Sequence, residues 1–163
     1  MVDTTWIKGP IYGIRAMMAE SAAFRTAVGA TNVAEAKAVI YPWQAYNEDY
    51  DDDNEAQPIP RVILRYEDVT ASQRSTTGFG TSYCVVSEFE FTPTSPDDQV
   101  AAEAFLNTLQ TVVNEMLAVE PVAGYAVIED MECAPSVQIF DPTENNPGQR
   151  FIWYGIKFKK GMK

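Results

Sequence analysis

The chain is 163 residues long, 46% hydrophobic and 12% aromatic, and its 12 basic and 23 acidic residues give a formal charge of −11. That apolar content excludes a disordered tail and suits one self-sufficient core, while no stretch reaches the ~18 apolar residues of a membrane helix. The charge has the wrong sign for gripping nucleic-acid phosphates, and the absence of histidine removes the commonest general base, the usual metal ligand and the Ser-His and Cys-His nucleophile pairs.

The opening residues, Met1 to Trp6, lack the basic start and apolar run of a secretory signal, so a soluble protein working where it is made is expected. From Ile11 to Val28, the spacing of Ile11, Ile14, Met17, Met18, Ala22 and Phe24 predicts a helix, with Gly29 as its stop. Val33 to Lys37 predicts a short second helix capped by Thr31 or Asn32, and Val39-Ile40-Tyr41 a brief strand halted by Pro42. Residues 43–60 are dense in charge, without periodicity, and read as an acidic loop.

Arg61 to Glu67 alternates, with Val62, Leu64 and Tyr66 on one face and Ile63, Arg65 and Glu67 on the other. Residues 68–81 are polar and glycine-containing and read as the flexible loop of an extended hairpin. Its return strand, Ser82 to Thr92, puts Tyr83, Val85, Ser87, Phe89 and Phe91 on one face and Cys84, Val86, Glu88 and Glu90 on the other. A long helix is expected from Pro96 to about Val119, capped by Ser95. Ala102, Phe105, Leu106, Leu109, Val112, Val113 and Met116 form its stripe, while Glu103, Asn107, Gln110 and Glu115 face away. Val137 to Phe140 and Phe151 to Phe158 read as two more strands joined by a turn-rich loop over 141–150. The order implies a single α+β domain over 1–163: an antiparallel four- to five-stranded sheet, two helices packed on one face, and an extended hairpin.

The candidate sites are weighed by what their chemistry demands. Cys84 and Cys133 lie 49 positions apart, each in a strand or strand edge, and read as reduced structural thiols. Asp49, Asp51, Asp53 and Glu55 alternate like a calcium loop, but the sixth position counted from Asp49 is Asn54 and the twelfth is Pro60, so the pattern fails. Glu88 and Glu90 share a strand face and could pair as hydrolytic carboxylates, although an exposed polar face accounts for them. Gly78-Phe79-Gly80 opens no helix and reads as hinge glycines rather than a phosphate loop. Trp43, Tyr46 and Tyr50 read as packing or interface anchors. No catalytic residue, metal or cofactor is expected.

Several stretches together resemble the tail terminator and tail-completion proteins at the neck of long-tailed bacteriophages. They are Phe24 to Gly29, Ile40-Tyr41-Pro42, Ile59 to Leu64, Phe89-Glu90-Phe91, Ala101 to Leu109 and Phe151 to Phe158. The resemblance implies a structural virion protein, made in the host cytoplasm and located in the tail-neck region. It implies a hexameric ring that caps the finished tail tube, contacts the tube protein and the connector or stopper proteins, and lets double-stranded DNA pass without specific binding. On this reading Glu48, Asp49, Asp51, Asp52 and Asp53 line the lumen or meet a basic partner, and Arg74, Thr76, Phe79, Asn145 and Asn146 sit in loops that reach neighbours. The alternatives are another neck protein (a stopper or head-completion protein), a non-viral acidic adaptor, or a carboxylate-based enzyme.

Overall fold

The computed structural model describes residues 7–42, 59–75, 78–119, 127–142 and 149–161, with backbone alone over 71–75 and 78–80. Four helices and six strands follow in the order α1 (Gly9–Glu20), α2 (Ala22–Val28), α3 (Val33–Ala38), β1 (Ile40–Pro42), β2 (Arg61–Ser75), β3 (Gly78–Phe91), α4 (Asp98–Ala118), β4 (Asp130–Cys133), β5 (Gln138–Phe140) and β6 (Phe151–Lys160).

The first expected helix is two. Ser21 is extended, so α1 ends there, and its hydroxyl accepts from the Phe24 N–H at 3.0 Å to begin α2. The apolar spacing continues across this break, which is why periodicity alone runs the two together. Gly29 stops α2 as expected, in the left-handed region at φ 72°, and the Ala30 N–H donates to the Arg25 carbonyl at 2.8 Å. Asn32 caps α3 by accepting from the Glu35 N–H, while the Glu35 carboxylate accepts from both the N–H and the hydroxyl of Thr31. Those bonds hold the Glu35 carboxyl below its ordinary pKa. Arg15 of α1 donates to the Lys37 carbonyl at 2.6 Å and satisfies the far end of α3.

The long helix begins two residues later than expected. Asp97, not Ser95, is the cap and accepts from the Val100 N–H at 3.0 Å, while Ser95 accepts from the Asp97 N–H at 3.1 Å. Its buried stripe is Ala101, Phe105, Leu109, Val112, Val113 and Met116. Leu106 is 38% exposed, and Glu115 turns inward rather than away.

The sheet runs β1-β2-β3-β6, with β4 and β5 in succession along the outer edge of β6. It is mixed rather than purely antiparallel, because β1 lies parallel to β2, Ile40 opposite Val62. The strand context read around Cys133 becomes β4, whose bounds the sequence does not mark: Asp130-Met131-Glu132-Cys133 pairs with Lys159 to Ile156. The helix-facing side read in β2 and β3 is buried as expected, with Val62, Leu64, Tyr83, Val85, Ser87, Phe89 and Phe91 beneath the helices. Cys84, Val86 and Glu90 on the other side are buried too, so that face is not the exposed polar one expected. Phe91 meets Phe24 of α2 at 6.3 Å and Phe105 of α4 at 5.3 Å between ring centres, so both helices close over the same face. One continuous core results, completed from β6 by Ile152, Ile156 and Phe158.

Candidate interaction surfaces

Two surfaces stand apart from the core. The first is the hairpin of β2 and β3. Residues 68–81, expected as a flexible loop, are almost entirely strand: the ladder runs from Arg61 opposite Glu90 to Ser75 opposite Gly78. The glycines of Gly78-Phe79-Gly80 therefore lie within β3 and are not hinges between strands. Polar residues on both faces leave no apolar alternation to read, which is why the segment passes for a loop. Register shifts between Tyr66 and Asp68 and between Gln73 and Ser75 insert extra residues into β2, devices that raise local twist.

The second surface is the sheet face turned away from the helices. Residues two apart on each strand bring bases from β2 and β6 beside acids from β2, β3 and β4. Arg61 bonds Glu90, and Arg65 meets Glu88 at 3.4 Å. Lys157 meets Glu67 at 3.0 Å and Glu132 at 3.7 Å, and Lys159 meets Glu132 at 2.6 Å. The charges of Arg61, Arg65, Lys157 and Lys159 thus cancel those of Glu67, Glu88, Glu90 and Glu132. The bond from Lys157 holds Glu67 below its usual carboxyl range and raises the lysine in turn; Lys159 does the same to Glu132.

A shallow cavity of about 300 Å³ opens on this face, lined among others by Arg65, Glu88, Glu132, Cys133, Trp153 and Lys157. Gly155 shapes its floor: a Cβ there would stand 3.1 Å from the Trp153 ring, so the missing side chain gives the indole its place. Nearer the other end of β6, Phe151 stacks on its cross-strand partner Phe140 at 4.8 Å. The charge ladder escaped sequence reading because its members come from strands distant in the chain. Glu88 and Glu90, weighed as a carboxylate pair, are each committed to an arginine instead.

Neither thiol is bonded in a disulfide. Buried Cys84 lies 3.2 Å from a Glu67 carboxylate oxygen, and burial first, then that acid, push its pKa up to about 11. A thiol so disfavoured as thiolate is a poor nucleophile. Cys133 is exposed on β4, in contrast to the packed position its strand context suggested. Phenols tie the sheet to flanking segments: Tyr83 donates to the Val127 carbonyl, Tyr66 to that of Ile7, and Tyr154 to that of Ala134 at 2.8 Å. Burial pushes the Tyr66 phenol up to about 12.

Among the residues singled out from sequence, Arg74 and Phe79 fall in the distal hairpin, Arg74 at the second register shift and Phe79 opposite Gln73. Thr76, Asn145 and Asn146 lie outside the described residues, as do Glu48, Asp49, Asp51, Asp52 and Asp53 and the aromatics Trp43, Tyr46 and Tyr50. The base of the 141–150 loop is described: Arg150 bonds Asp141 at 2.8 Å and Asp98 at 2.5 Å, and Gln149 donates to Thr92 at 3.2 Å. This fastens the start of β6 to the first turn of α4. No group of three or more metal-ligating side chains occurs among the described residues, and no helix among them is long and apolar enough to cross a membrane.

No family model matches the chain, and no curated protein matches it in sequence.

Proposed function

We propose that the protein is a structural subunit of the neck of a long-tailed bacteriophage, a tail terminator whose copies close into a ring on the end of the tail tube. The observation that carries this reading is the hairpin, a two-stranded arm longer than any other strand among the described residues. A ring held by head-to-tail contacts needs two unlike patches per subunit and an element that reaches across to the next. The arm meets that need, and the stretches that resemble the family fall on or beside α2, β1, β2, β3, α4 and β6.

In such a ring the acidic residues Glu48, Asp49, Asp51, Asp52 and Asp53 face the lumen or a basic partner surface. A negative lining repels the duplex along its whole circumference and lets it slide. The tube protein meets one face of the ring and the connector or stopper proteins the other. Against a carboxylate enzyme stands the geometry of Glu88 and Glu90, each turned to an arginine rather than to a shared substrate position. The test is electron microscopy of particles made with and without the chain. Density for a ring between tube and connector, and tails of uncontrolled length in its absence, are expected. Normal tails without the chain would overturn the reading.

A further inference from the structure

The hairpin has two halves with different surroundings. Near the body, β3 pairs with β6 from Phe91 down to Tyr83, and β1 pairs with β2 from Val62 to Leu64. Farther out, from Thr70 opposite Ser82 to Ser75 opposite Gly78, the two strands pair only with each other among the described residues. This distal ribbon extends about 15 Å at the usual rise of roughly 3.4 Å per residue, and among the described residues both of its edges carry backbone groups outside any ladder.

A two-stranded ribbon by itself is marginally stable in water, and proteins guard exposed edges with proline, lysine, short strands or interruptions. The sheet's opposite edge is guarded in this way: β4 and β5 have four and three residues, Ala134-Pro135-Ser136 interrupts them, and Asp130 and Glu132 add charge. The segment 68–82 carries no proline and no lysine, and its four threonines suit strands. Among the described residues nothing else pairs with its edges, and the register shifts at Glu67 and Arg74 interrupt only the β2 side.

We propose that the distal hairpins of neighbouring copies of this chain join edge to edge, the β2 edge of one arm pairing with the β3 edge of the next. The two edges belong to strands of opposite direction, so identical arms set side by side continue one antiparallel ladder. Each contact uses two different edges, so it propagates from copy to copy and ends only by closing on itself. The register shifts at Glu67 and Arg74 add the twist that such closure needs. Charge favours a copy of the same chain as the occupant: the segment 68–82 holds one acid, Asp68, and one base, Arg74, within a chain of net −11. Arms can therefore meet where the molecules repel least. The inference deepens the ring reading above and rests on it for closure.

The test is hydrogen exchange and sedimentation of the purified full chain over a range of concentrations, beside a variant in which residues 70–82 are replaced by Asn-Gly. Wild type is expected to form a closed oligomer in which amides of 70–75 and 78–82 exchange about 100-fold or more slowly than in the monomer. The trimmed chain is expected to stay monomeric and still to unfold cooperatively in urea. An oligomer whose arm amides exchange freely, or a trimmed chain that still assembles, overturns the arm pairing and leaves the ring reading standing. A discrete two-fold dimer, or a wild-type chain that stays monomeric throughout, also overturns it, and imaging of particles then judges the ring independently.

Discussion

Ser87 and Glu115 show how a polar side chain in this core gains or loses by its partners. Ser87 sits on the helix-facing side of β3 between Leu64 and Ile156, fully buried, and its hydroxyl has no hydrogen-bond partner among the described residues. A buried hydroxyl without a partner forfeits its hydration for nothing. Ser87→Ala is therefore expected to leave stability unchanged or raise it by up to about 1 kcal/mol, read from the urea midpoint. A loss of more than about 1 kcal/mol would reveal a bond to that hydroxyl. Glu115 is the opposite case. From α4 it accepts from the Ser21 hydroxyl at 2.6 Å and the Ala23 N–H at 3.0 Å, so one helix caps the start of another. The Ser21 bond first, then the Ala23 N–H, hold its carboxyl below the usual 4.5. A depressed carboxyl contributes stability that is complete above that ordinary value and is lost as pH falls through the lower folded one. Glu115→Gln is expected to cost about 1 kcal/mol at neutral pH, with the gap to wild type narrowing below pH 4.5. Urea titrations at pH 7 and about pH 3 check this, and a gap of equal size at both would contradict it.

Among the elements, the long helix offers the sharpest comparison. Leu106 and Leu109 both fit the apolar stripe by spacing, yet Leu109 is 1% exposed and Leu106 38%. Leu109→Ala should cost about 2–5 kcal/mol and Leu106→Ala under about 1 kcal/mol, measured side by side by chemical denaturation. Equal costs would mean that α4 is rotated about its axis. The same pair marks where sequence reading stops. Period and capping identify the helix, but which of two adjacent leucines turns inward depends on α1, α2 and Phe91, which the pattern does not contain. Strands β2 and β3 were legible near the body because their helix-facing side is mostly apolar, so Val62, Leu64, Tyr83, Val85 and Phe89 show the two-residue period directly. The burial of Cys84, Val86 and Glu90 on the other side does not show in the pattern. The distal hairpin and β4 were not. The distal hairpin is polar apart from Ala71 and Phe79, and Asp130 to Cys133 is an edge with little buried surface, so pairing rather than pattern makes each a strand. Parallel β1 lay beyond reach for a similar reason: three residues cannot announce the direction of their partner. Of the candidate site, the arm could be anticipated from two alternating strands around a long connection, whereas the charge ladder exists only once β2, β3, β4 and β6 lie together.

For the whole molecule the deciding quantity is where its charge sits. The outer sheet face pairs Arg61, Arg65, Lys157 and Lys159 against acids, and the hairpin segment is close to neutral. The acids Glu48, Asp49, Asp51, Asp52, Asp53 and Glu55, by contrast, crowd into eight positions that contain no base. Copies that join through backbone pairing must therefore come together against a net repulsion. Salt screens that repulsion and leaves the ladder bonds largely untouched: raising ionic strength from about 0.05 M to about 0.5 M shortens the Debye length from roughly 14 to 4 Å. Assembly is expected to shift to at least about tenfold lower protein concentration over this range, followed by sedimentation velocity. Replacing Glu48, Asp49, Asp51, Asp52 and Asp53 by the corresponding amides should tighten assembly at low salt and flatten the salt dependence. If salt instead dissociates the oligomer, opposite charges hold the copies together. The acidic segment would then be the contact, with bases of a neighbouring copy as its counterpart, and the neutral arms would have no part in the assembly.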